Sequence, residues 1–162
     1  MGDTPWAGLQ RRLVFHIRRA TSVVTRTFHG TAVFEKLFPL AHAHNLRIVS
    51  INRRGYPPSS GFQEDELEGA GYGKKIEEAE PFFRSQGIEI ATFLAQFATE
   101  QDIPLADTNS PTGGIVLVGW SLGMTHALTV LAFSNELPED TRSTLQKYLH
   151  TVLAHGMWLV QL

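Results

Sequence analysis

The sequence predicts an α/β fold in which a mostly parallel sheet is flanked by helices, and three observations carry that prediction. Short β-branched or apolar runs alternate along the chain with stretches whose apolar residues recur at helical spacing. One run, Ile115-Val116-Leu117-Val118, is apolar at every position, which suits the middle of a parallel sheet buried on both faces. It passes into Gly119-Trp120-Ser121-Leu122-Gly123 and then into an Ala/Leu-rich helical stretch, placing a serine between glycines where a strand becomes a helix.

Residues 21–28 are β-branched and roughly alternating, then stop at His29-Gly30, a strand followed by a loop. Residues 34–44 carry Phe34, Leu37, Phe38 and Ala41 at helical spacing. A short strand over 46–52 ends at Arg53-Arg54-Gly55-Tyr56-Pro57-Pro58, which can continue neither a helix nor a strand. Residues 59–80 are polar, acidic and glycine-bearing, and read as a mobile surface loop. Ile88, Ala91, Leu94, Ala95 and Ala98 form one face of a helix over 88–98, with Gly87 before it. A turn-rich connector at 107–114 leads to the apolar strand at 115–118 and the helix at 122–132. Pro138-Glu139-Asp140 opens a helix running to about Leu149, its acids in the first turn. A last short strand covers 151–154. In such alternation ligands bind at the carboxyl ends of the strands.

The bulk numbers exclude several functions. With 162 residues the chain fits one domain, and 43% hydrophobic with 19% charged residues describe an ordinary globular protein. A net charge of −2 gives no nucleic-acid footprint. The absence of cysteine excludes disulfides, thiolate zinc sites and a cysteine nucleophile. No apolar run approaches the roughly 18 residues of a membrane helix, so a soluble, cytoplasmic protein is expected. Five arginines (Arg11, Arg12, Arg18, Arg19, Arg26) against the single acid Asp3 make residues 1–27 a basic segment. It reads as the first strands of the fold or, alternatively, as a mitochondrial transit peptide.

Gly-x-Ser-x-Gly between a strand and a helix is a nucleophile elbow. The turn is so tight that side chains at Gly119 and Gly123 would collide with the neighbouring strand and helix. Ser121 itself is held in a strained conformation that pushes its hydroxyl into the cleft. The following helix aims free N–H groups and a positive dipole end at the place where an oxyanion would form.

These features resemble the α/β-hydrolase superfamily over roughly residues 21–154, in three ordered motifs. Besides the elbow, Phe28-His29-Gly30-Thr31 looks like that family's His-Gly loop. The stretch Asn52-Arg53-Arg54-Gly55-Tyr56-Pro57-Pro58-Ser59 is similar to its Asp-x-Arg-Gly-x-Gly-x-Ser segment. Residues 29–52 and 87–149 look most like fungal members. The resemblance implies a partial α/β-hydrolase domain over 28–162, with Ser121 as nucleophile and the N–H groups of Leu122 and Thr31 as the oxyanion hole. It also implies a small ester-type acyl substrate and no cofactor.

The family order is Ser, then Asp or Glu, then His, on loops after later strands. After Ser121 this chain offers Glu136, Glu139, Asp140 and the histidines His126, His150 and His155. His126, within the elbow helix, is expected to pack or to face water. Asp140 reads as a cap, and His150 lies at the wrong end of the sheet. Only His155 falls on the rim of Ser121 and is the candidate base. Where relatives tend to carry an Asp followed by prolines, this chain has His155-Gly156. The resemblance therefore implies a truncated or alternatively spliced hydrolase that lacks its C-terminal strands and turns over weakly. The alternative is an inert scaffold or fragment that associates through an exposed sheet edge.

Other features carry structural readings. Residues 69–75 echo a phosphate loop without the strand or the Ser/Thr it requires. His42 and His44, two apart on a helix, should not share a metal. Trp120 reads as packing ahead of substrate stacking. Arg53 and Arg54 read as anchors of their loop ahead of an anionic-substrate site.

Overall fold

A computed structural model describes residues 20–25, 36–56, 59–68, 70, 75–110 and 112–156. Four parallel strands form one sheet: β1 (Ala20–Thr25), β2 (Leu46–Ser50), β3 (Ile115–Trp120) and β4 (Leu149–His155), in the order β2-β1-β3-β4. The helices are α1 (Phe38–Ala43), α2 (Glu64–Leu67), α3 (Ile76–Glu100), α4 (Gly123–Ala132) and α5 (Glu139–Tyr148). The chain is therefore a mixed α/β structure with a parallel sheet. β1 is hydrogen-bonded to both β2 and β3, so residues 20–25 of the basic segment 1–27 belong to the sheet, and the rest of that segment lies outside the described residues.

The core forms where α3, α4 and α5 cover one face of the sheet. Ile115 and Leu117 of β3, Leu94 of α3 and Val130 of α4 lose essentially all solvent contact, with Ile51, Ile90, Ala127 and Leu145 around them. Strict alternation explains the β3 pattern: 115, 117 and 119 face the helices and are buried, whereas 116, 118 and 120 are only partly covered. Fully buried on both faces is thus a description that β3 fits on one side only. Among the described residues β2 and β4 are the edge strands, and most residues of β4 are exposed.

Two sequence expectations are corrected. Residues 59–80 are not simply a loop, because α2 and the start of α3 lie within them. The helix expected over 88–98 begins twelve residues earlier and runs through both Pro81 and Gly87. Its start is held by the Lys75 N–H donating to the Glu78 carboxylate at 3.3 Å and by an Arg84–Glu80 pair four residues apart. Gly87 is a packing residue and not a helix stop. A Cβ there would lie 2.8 Å from the Thr129 carbonyl oxygen, so the glycine is what lets α4 cross α3 so closely.

The segment after β2 is pinned rather than loose. Arg54 makes a two-pronged contact with Glu66, both oxygens at 2.6 Å, while its Nη2 also donates to the Gly61 carbonyl at 3.0 Å. Its guanidinium lies 4.8 Å from the centre of the Phe62 ring. The Ser59 hydroxyl closes the loop by donating to the Asn52 carbonyl at 2.9 Å.

Candidate functional site

Ser121 sits at the carboxyl end of β3 with φ +55°, a left-handed conformation that a serine adopts only when its surroundings impose it. The constraint comes from both sides. The Ser121 N–H donates to the His155 carbonyl at 2.8 Å, extending the β3–β4 pairing by one residue. The Ser121 carbonyl accepts the Met124 N–H at 3.0 Å and so joins the first turn of α4. Because N–H and C=O of a trans peptide point in opposite directions, that second bond turns the Leu122 N–H away from the helix. Among the described residues the Leu122 N–H has no acceptor.

The elbow glycines are explained by contact. A Cβ on Gly119 would lie 2.6 Å from Met124 Cα and 2.9 Å from both Ala127 Cβ and the Gly123 carbonyl oxygen. Gly123, the first residue of α4, is buried. Gly30 and Thr31, expected to supply the second oxyanion N–H, lie outside the described residues.

Apolar groups border the serine. Trp120 is 37% exposed and Leu122 half-exposed, one on each side of it. The indole lies across Gly156, whose φ of +84° turns the chain after β4. A Cβ at Gly156 would stand 3.2 Å from the indole nitrogen and 3.6 Å from the Ser121 nitrogen.

The histidines divide. The β3–β4 register places His155 opposite Trp120, one position short of Ser121. It is therefore the His155 main chain that reaches Ser121. Among the described residues no side chain is hydrogen-bonded to the serine hydroxyl. His150 lies at the opposite end of β4, beside the start of β3.

His126 packs rather than facing water. It is buried, its ring meets Phe83 edge-on at 5.6 Å, and its Nδ1 lies 3.4 Å from the Leu122 carbonyl oxygen. Burial, and then the positive charge of Arg53, push its pKa down to about 4. Only the spacing of four residues between Leu122 and His126 signals this contact along the chain.

The acids after Ser121 are occupied elsewhere. Glu136 pairs with Arg84 at 2.9 Å, Glu139 with Arg142, and Asp140 accepts the Thr141 N–H at 2.7 Å within the first turn of α5. Glu89, on the buried flank of α3, is the carboxyl whose pKa rises, chiefly through burial. The nearby Arg54 holds it down, and Glu66 pushes it up. Arg53 is itself buried, and burial lowers its pKa.

Among the described residues no cluster of three or more His, Asp or Glu could hold a metal ion, and no helix is long and apolar enough to cross a membrane. Comparison with protein-family models, with curated proteins and with solved structures finds no match to this chain.

Proposed function

We propose that this chain is a serine-nucleophile acyl hydrolase of the α/β-hydrolase kind, acting on a small ester-type substrate. The observation that carries the reading is Ser121 at φ +55° between β3 and α4, beside a Leu122 N–H that has no acceptor among the described residues. A side chain is forced into that conformation at a cost of roughly 1–3 kcal/mol, a cost that persists where the site uses it. Attack by the Ser121 oxygen on an ester carbonyl would place negative charge on the carbonyl oxygen. The Leu122 N–H and the positive end of the ten-residue α4 would stabilise it there. The second donor would be Thr31. The strand order, with the elbow after the third strand and helices on the sheet, supports the same reading.

Turnover is expected to be weak. Glu136, Glu139 and Asp140 are engaged away from Ser121, His126 is buried, and His155 reaches the serine through its backbone. His155 remains the candidate base, requiring a turn of its exposed side chain toward the hydroxyl. The reading is tested by labelling with a fluorophosphonate, which reports an activated serine. Labelling of the parent but not of Ser121→Ala supports it, and an unlabelled parent overturns it.

A second reading is favoured by the open edge. Among the described residues no strand pairs with the outer side of β4, Leu153 is 51% exposed, and Leu128 and Leu131 are exposed on α4. An inert scaffold associating through this edge would show a concentration-dependent mass by sedimentation, with no serine-dependent labelling.

A further inference from the structure

Resting on the acyl-hydrolase reading, we infer that His126 is a positioning residue of the elbow. Its ring donates from Nδ1 to the Leu122 carbonyl and fixes the turn that carries Ser121 and the Leu122 N–H. Four observations converge on it. First, α4 begins without ordinary support: no side chain caps it and no acid lies in its first turn. Second, Ser121, two residues before the helix, is strained, so the turn tends to relax unless it is held. Third, the Leu122 carbonyl accepts the Thr125 N–H at 3.2 Å, and the His126 Nδ1 lies 3.4 Å from the same oxygen. A carbonyl accepts but cannot donate, so the interaction requires the tautomer with its proton on Nδ1.

Fourth, the ring is fixed where it stands. Phe83 of α3 meets it edge-on at 5.6 Å, and it is buried. Arg53, from the segment after β2, is the charged group that acts on the ring, while Glu89 of α3 acts on Arg53. A second proton on the imidazole is thus opposed by burial and by a neighbouring cation, so the ring stays neutral with one N–H to give. Holding the Leu122 carbonyl sets the backbone at Leu122 (φ −59°, ψ −22°), through which the strained serine enters the helix. His126 touches no reacting atom and acts through Leu122.

The test uses the full chain, with fluorophosphonate labelling of Ser121 as the kinetic readout and the nitrogen-15 spectrum of the ring as the structural one. His126→Leu fills the same apolar space without a donor. It is expected to remain folded and to label about tenfold more slowly, the factor that one lost hydrogen bond of ordinary strength represents. His126→Asn, which places an amide N–H near the Nδ1 position, recovers most of the rate. A purely structural role would not separate these two variants in that direction. The parent ring should show the Nδ1–H tautomer at neutral pH. Labelling of His126→Leu at the parent rate, or an Nε2–H tautomer in the parent, overturns the inference and leaves the hydrolase reading intact. A parent that is not labelled overturns the hydrolase reading and the positioning role together. Should the leucine variant not fold, the tautomer of the parent and the rate of the asparagine variant decide the matter.

Discussion

The Ser121 N–H and the His155 carbonyl are joined by a 2.8 Å hydrogen bond, which ties the strained serine to the end of the edge strand β4. The residue expected to contribute a side chain contributes its backbone. The elbow is consequently clamped between an edge strand and the first turn of a helix, and its geometry depends on both.

Ser121→Gly should stabilise the protein while abolishing labelling. A glycine pays no Cβ penalty at φ +55°, so a gain of about 0.5–1 kcal/mol is expected in chemical denaturation. Ser121→Ala, which keeps the Cβ, should show no such gain. Equal midpoints for the two variants would remove the strain from the account.

Gly119→Val should lose stability by more than the 1–3 kcal/mol typical of an overpacked core. Its Cβ would stand 2.6 Å from a backbone carbon of α4, and backbone cannot rotate aside as a side chain can. A urea midpoint near that of the parent contradicts this close approach of β3 and α4.

Gly87→Ala separates packing from propensity. Alanine is the better helix former by about 1 kcal/mol, so a helix free of neighbours would be strengthened. Here the added methyl meets the Thr129 carbonyl oxygen at 2.8 Å, and the variant is expected to melt below the parent. A rise in melting temperature would show that α3 and α4 are farther apart.

His126 gives stability a particular pH dependence. In the fold its pKa is depressed to about 4 from 6.5, so the unfolded chain takes the proton first as pH falls. Its contribution is complete above about pH 6.5, is lost progressively down to about pH 4, and is constant below that. The total is on the order of 3 kcal/mol, from 1.36 kcal/mol per pKa unit. Subtracting the pH profile of His126→Leu from that of the parent cancels the carboxylates and should leave this slope. A flat difference between pH 6.5 and pH 4 would place the ring in water.

Along the chain, the sequence by itself determined what local patterning can determine. The apolar run at 115–118 marked β3, an Ala/Leu-rich stretch marked α4, Pro138 with acids in the first turn marked α5, and the two glycines around Ser121 marked the elbow. Each signal lies within a few residues, where backbone sterics and burial period act. Only the tertiary structure decided the rest. Gly87 read as a helix boundary because glycine is a poor helix former, and it took the Thr129 carbonyl, 42 positions on, to make it a packing residue. Residues 59–80 read as a loop because polarity says nothing of an Arg54–Glu66 fork that exists only once the segment folds back. The partner of Ser121 could not be chosen from the sequence either. Which part of His155 reaches the serine depends on the β3–β4 register, and a shift of one residue exchanges ring for backbone.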